Sequence, residues 1–160
     1  QNAIKVALYV GNSRFRFKQL VNIYLTGPYR VTQRASWPLS ICIEKSPELL
    51  GPHLMAILRH LERSDIHDAV KRNTMRLLQF ADIPARSQSK VIDLCFRYLQ
   101  SKDEPVAVKV FSMTVLSRLV KRHPDLRGEL RIIIEDQLPY ATAGFISRAG
   151  RIFKELEIQA

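Results

Sequence analysis

The stretches "SPELLG" at Ser46 to Gly51 and "HPDLRG" at His123 to Gly128 decide how this chain of 160 residues is read. Their prolines, Pro47 and Pro124, stand 77 residues apart. A third and looser phrase lies between them, "ADIPARS", whose Pro84 falls 37 residues after Pro47 and 40 before Pro124. Prolines at near-equal spacing punctuate a repeat. Around them apolar residues recur at helical intervals: Val108, Phe111, Val115, Leu116 and Leu119 precede Pro124, and Leu126, Leu130, Ile133 and Ile134 follow it. Each period therefore reads as a helix, a short turn and a second helix.

Each proline is expected at the start of the second helix, where its missing N–H has no intrahelical partner to lose. It also pushes the preceding residue out of the helical region, which stops the first helix. Turn and start signals separate the periods: "TGPY" (26–29), "RSDIHD" (63–68), "SKDEP" (101–105) and "LPYATAG" (138–144). From Pro28 to Ile66 is 38 residues, and from Ile66 to Pro105 is 39. A two-helix period of about 40 residues is the signature of a helical solenoid, in which each pair buries its apolar face on the next. The expected fold is all-α, an α-α superhelix of stacked antiparallel helix pairs. It forms one helical-repeat domain over 1–160, with units near 1–27, 28–65, 66–104 and 105–141 and a last helix over 142–158.

The beginning of the chain admits two readings. "IKVALYVGNSRFRF" alternates like a strand pair around "GN", a hairpin signal. Helices over 2–10 and 13–25 are preferred. Gly11 suits a helix C-terminal cap and Ser13 an N-cap, and Phe17, Leu20, Val21 and Tyr24 make a helical stripe.

Two segments, "AVKRNTMRLLQF" (Ala69 to Phe80) and "VAVKVFSMTVLSRL" (Val106 to Leu119), open a first helix with a Val-Lys pair. Pro38 lies inside another, "RASWPLSICIEK". In these features the chain resembles the HEAT-repeat family, whose first helices open with a hydrophobic-basic pair and are kinked by proline. The resemblance covers nearly the whole chain. It implies a fold and a concave binding face lined by the second helices, and it implies no particular activity. HEAT-like arrays include alkylpurine DNA glycosylases, which use aromatic side chains with a carboxylate in the cleft. Here the one tryptophan, Trp37, has no obvious acidic partner and is expected to pack between repeats.

Twenty-five Lys and Arg against fifteen Asp and Glu give a formal charge of +10, which favours polyanions, acidic protein surfaces or anionic membrane. Residues 1–45 carry +6 of it: Lys5, Arg14, Arg16, Lys18, Arg30, Arg34 and Lys45 against Glu44. Cys42 and Cys95 sit in apolar runs and are expected as buried free thiols in a reducing compartment, so a cytoplasmic location is expected. No apolar run approaches the roughly 20 residues that cross a bilayer, so membrane insertion is not expected.

Catalytic signals are lacking: there is no HExxH, paired CxxC, GxSxG, phosphate-binding glycine loop or EF-hand loop. His53, His60 and His67 recur every seven residues, but on one helix they stand about 10 Å apart, too far to share a metal. They are expected as solvated or groove-lining side chains. No cofactor is expected.

Setting aside the apolar stripe of each second helix leaves cations on all four: Arg14 and Lys18, then Arg59 and Arg63, then Lys90 and Arg97, then Arg127 and Arg131. If aligned, they make a basic groove. A further basic set, including Lys71, Arg72, Arg76 and Lys109, falls on first helices among acids such as Asp68 and Glu104 and is read as a solvated convex face. The expected function is a non-enzymatic interaction or scaffold module that binds a protein partner with an acidic or mixed surface. The alternative is a DNA- or RNA-binding module using the same groove, with Phe15 as a stacking surface, and more distantly a glycosylase-like protein.

Overall fold

The structure, a computed structural model, describes residues 2–158. Among these residues there are nine α-helices and no β-strand, so the fold is all-α. The chain divides into two compact units, Gln1–Ser87 and Gln88–Ala160.

In the first unit, α1 (Asn2–Val10) and α2 (Arg14–Thr26) meet at a turn built as the sequence predicts. Gly11 adopts φ +53°, a left-handed conformation that favours glycine, and its N–H donates to the Ala7 carbonyl at 2.9 Å. Ser13 then caps α2, its hydroxyl oxygen accepting from the Arg16 N–H at 3.4 Å. The stripe Phe17, Leu20, Val21 and Tyr24 is buried. Helix α2 ends at Gly27, which Pro28 holds in an extended conformation (ψ 160°), and only glycine fits there without a shift, since a Cβ would lie 2.5 Å from the Ile23 carbonyl oxygen.

Helix α3 (Tyr29–Lys45) packs against α1, α2 and α5 (Asp68–Leu78), and it contains Pro38. Small residues make that crowding possible, since Ala35, Ser36 and Ser40 are buried beside Leu39, Cys42 and Ile43. The buried polar groups are satisfied: Ser36 Oγ donates to the Gln33 carbonyl at 2.7 Å and accepts from Asn73 Nδ2 at 2.8 Å. The second helix of this pair does not begin at Pro47. Two 3₁₀ turns, Pro47–Leu49 and Gly51–His53, come first, and α4 is confined to Leu54–His60. Each turn has a proline in its first two positions, and the missing N–H of Pro52 delays the α-helical ladder.

The repeat period is visible in the contacts. Phe17 meets His53, Tyr24 meets His60 and Ser40 meets Arg76 at a spacing of 36 residues, and Ser36 meets Asn73 at 37. Contacts at constant spacing require that α2 and α4 run parallel as equivalent second helices, and that α3 and α5 do so as equivalent first helices.

Helix α6 (Ala85–Gln100) crosses into the second unit, where it is followed by α7 (Val106–Val120), a 3₁₀ turn at Pro124–Leu126, α8 (Arg127–Gln137), a 3₁₀ turn at Leu138–Tyr140 and α9 (Ala143–Ile158). Helix α7 packs on both α8 and α9 and buries Val108, Met113, Val115, Leu116, Leu119 and Val120, a broad face that spans a little under half of its circumference by helical spacing. The same period recurs: Gln137 Nε2 donates to the Leu99 carbonyl at 2.9 Å, and Ser117 Oγ to Glu155 at 3.2 Å, each across 38 residues.

Candidate functional site

In the first unit α2 carries Arg14 and Lys18 and α4 carries Arg59, whereas Arg63, expected on the same second helix, lies in the turn beyond the end of α4 at His60. Arg14, Lys18, Arg59 and Arg63 are all exposed. Arg63 is engaged: its Nε and one terminal nitrogen donate to the two carboxylate oxygens of Asp65 at 2.9 and 2.7 Å. That bidentate pair holds the Asp65 carboxyl below its usual range. Arg14, Lys18 and Arg59 have no ion pair among the described residues.

The second unit holds the other four under different conditions. Lys90, on α6, and Arg127, in the first turn of α8, are half-buried. Arg97 is exposed, with its guanidinium 5.9 Å from the Tyr98 ring, in a shallow cleft that also contains Asp93 and Glu129. Arg131 donates to Glu135 at 2.8 Å and lies 5.6 Å from the Phe153 ring. The second unit therefore spends part of its basic charge internally, whereas the three cations on α2 and α4 are left to solvent.

A larger cleft of about 730 Å³ opens in the second unit between α7 and α8, with Val106, Ile133, Phe145 and Tyr140 on its walls. Lys109 enters it and donates to Gln137 Oε1 at 3.0 Å; burial lowers its pKa, opposed by the carboxylate of Glu104. Lys102 and Lys109 face Glu104 and Asp136 there, so the cleft has no charge preference.

Sequence reading missed the role of the histidines. His53, His60 and His67 lie on the rings of Phe17, Tyr24 and Tyr29, with centroids 5.6, 4.9 and 5.6 Å apart. His60 is buried, not solvated, and its Nε2 has no hydrogen-bond partner among the described residues. His67 serves as the N-cap of α5, its Nδ1 accepting the Ala69 N–H at 2.9 Å. The signal that could have found this is the pairing of two spacings of seven, Phe17 to Tyr24 and His53 to His60, 36 residues apart.

Trp37 departs from expectation as well. It is half exposed, because helical spacing turns it onto the same outer side of α3 as Arg30 and Arg34, opposite Leu39 and Cys42. Cys42 and Cys95 are buried free thiols as expected, and burial raises both, Cys42 to about 11, which leaves them protonated and unreactive at neutral pH. Among the described residues no group of His, Cys, Asp and Glu side chains could hold a metal ion, and no helix is long and apolar enough to cross a membrane.

Neither a curated protein nor a solved structure matches the chain. A family model described as a HEAT repeat domain matches residues 1–156. With helices paired in sequence and stacked at a constant period, this chain belongs to the HEAT-repeat family.

Proposed function

We propose that this HEAT-repeat domain is a non-enzymatic interaction module that receives an acidic segment of a partner protein on the parallel faces of α2 and α4. HEAT repeats serve as protein-interaction scaffolds. The observation that carries the finer reading is the charge on those faces: Arg14, Lys18 and Arg59 are exposed without an ion pair among the described residues. The first 43 residues contain six Lys and Arg and no Asp or Glu. The packing of Phe17 on His53 and Tyr24 on His60 ties the two helices together, so the cations stand on a rigid base and bind without ordering a loop. Complementary charge then supplies orientation and rate of encounter.

Nucleic acid is the second reading, favoured by Phe15, which is 71% exposed between Arg14 and Arg16 and offers a ring to an unstacked base. One titration separates the two. Fluorescence anisotropy of a labelled acidic peptide and of single-stranded DNA and RNA is followed across a salt series, with Arg14→Glu and Arg59→Glu as variants. Peptide binding that both variants weaken supports the protein-partner reading. DNA or RNA binding with a steep salt slope, weakened further by Phe15→Ser, moves nucleic acid to first place. Failure of every probe at low salt removes both.

A further inference from the structure

We propose that the cleft between α7 and α8 is an anchor site for an aromatic side chain, of the tyrosine class, carried by a segment of a partner protein. The same joint between successive first helices occurs in both units, and in the first unit the chain fills it itself. Tyr29 opens α3 directly after Pro28, and His67 is the N-cap of α5. Their rings meet edge-on, with centroids 5.6 Å apart and planes at 68°, and the cavity left beside them measures about 110 Å³.

In the second unit the equivalent positions carry no ring. Val106 opens α7 directly after Pro105, whose backbone (φ −56°, ψ 145°) repeats that of Pro28 (φ −57°, ψ 151°). Thr142 stands where His67 does: its carbonyl accepts the Ile146 N–H at 3.0 Å, as the His67 carbonyl accepts the Lys71 N–H at 3.2 Å. With Val106 and Thr142 in place of Tyr29 and His67, the joint opens into the cleft of about 730 Å³. That lies within the range of about 300–1,000 Å³ in which ligand sites fall.

The filled joint identifies the occupant of the open one: the group absent between the two first helices is an aromatic ring. The walls suit a ring. Phe145 is buried in one of them and Tyr140, 93% exposed, stands on another, so an entering ring finds two aromatic partners. Lys109 adds a cation in a fixed place. Gln137 Nε2 donates to the carbonyls of Leu99 and Ile133 at 2.9 and 3.2 Å, which leaves its Oε1 to accept from Lys109 Nζ at 3.0 Å. An ammonium held against apolar walls attracts the face of a ring, and its further protons can meet a phenol oxygen. Lys102 and Lys109 are balanced by Glu104 and Asp136, so the site reads a ring and not a charge. A cleft this much larger than the filled joint has room for backbone on either side of the ring, and Gln100 and Thr142 offer that backbone an amide and a hydroxyl, which selects a peptide segment over a free aromatic molecule.

The proposal uses no residue of α2 or α4, so it and the acidic-segment reading fail separately. The probe is a pentapeptide of glycine and serine with one central tyrosine, blocked at both ends, titrated by NMR against the whole chain. A peptide with alanine at the centre is the control. Saturable binding is expected, about tenfold or more tighter than the control. Val106→Tyr combined with Thr142→His rebuilds the filled joint and should abolish binding; melting curves verify that the variant folds. Lys109→Met keeps the stem, removes the ammonium and should weaken binding about twofold to tenfold. Arg59→Glu should leave it unchanged. No binding at millimolar peptide, equal binding of the alanine control, or indifference to both cleft variants overturns the proposal. N-acetyltyrosine amide binding as tightly as the pentapeptide assigns the cleft to a free aromatic molecule and overturns it equally.

Discussion

The imidazole of His60 packs on the ring of Tyr24 with centroids 4.9 Å apart and planes tilted by 56°. This contact joins the second helices of two successive repeats. On its other side Tyr24 is fixed by a 2.8 Å hydrogen bond between its hydroxyl and Thr74 Oγ1. A titratable ring is thus part of the inter-repeat packing, and the stability of the first unit depends on its staying neutral.

The first unit is therefore expected to lose stability in mild acid. Burial lowers the pKa of His60, aided by Arg63 and opposed by Asp65, and burial lowers that of His53, aided by Lys18. A depressed folded-state pKa means that the unfolded chain takes the proton first. The contribution is fully present above the unfolded value of 6.5 and is lost as pH falls below it. Urea denaturation from about pH 8 to about pH 5 should show the midpoint falling through this window. His60→Phe keeps a ring on Tyr24 and removes the unpartnered Nε2. It should flatten the dependence and gain about 1 kcal/mol at neutral pH. An unchanged pH profile in His60→Phe would assign the loss to other groups.

Tyr24→Phe should cost about 1 kcal/mol, since the buried hydrogen bond to Thr74 is lost while Thr74 Oγ1 still donates to the Val70 carbonyl. Tyr24→Ala removes the ring beneath His60 as well, at about 3–5 kcal/mol. Equal losses in the two variants, read from chemical denaturation, would show that the ring contact contributes nothing.

Two glycines should respond to alanine with opposite sign. At Gly27 the new methyl would meet the Ile23 carbonyl oxygen at 2.5 Å and Val31 Cγ1 at 3.3 Å, so Gly27→Ala is expected to destabilise by about 1–3 kcal/mol. At Gly150, inside α9, nothing lies within 4 Å of the new atom. Gly150→Ala should therefore stabilise by about 0.5–1 kcal/mol through the reduced entropy of the unfolded chain. Thermal melts of the two variants beside the wild type test this directly.

Charge reversals at Arg59, on α4, and at Arg63, in the turn that follows it, should not be equivalent. Arg59 carries no ion pair among the described residues, whereas Arg63 is held by Asp65 through two hydrogen bonds. Arg59→Glu should weaken the acidic peptide severalfold, and Arg63→Glu should weaken it less. A larger effect at Arg63 would mean that the partner displaces Asp65.

Both cysteines should resist thiol reagents in the native state and react only on unfolding, because Cys42 and Cys95 are buried with raised pKa values. The rate of labelling by a chromogenic disulfide, followed with and without denaturant, measures this. Fast native labelling of Cys42 would reveal local opening of α3.

The period of the helix pairs, the cap at Gly11 and Ser13, and the apolar stripes of α2 and α7 were legible in the sequence. They are local properties, set by backbone sterics and by residue spacing along one helix. The family followed from the same periodicity, since stacking equivalent helices demands equivalent faces. Other features depended on atoms brought together from distant parts of the chain. Proline spacing marks where α4 belongs, but the second proline at Pro52 shortens it to Leu54–His60. Helical spacing places Arg63 and Arg131 beside Arg59 and Lys18 as equals, but Asp65 and Glu135 neutralise two of the four. The interval of seven between His53 and His60 has no meaning until α2 supplies Phe17 and Tyr24 at the same interval. Periodicity along a chain reports which side of a helix is buried. What that side is buried against, and which charges are left over, is decided by the partners that tertiary packing supplies.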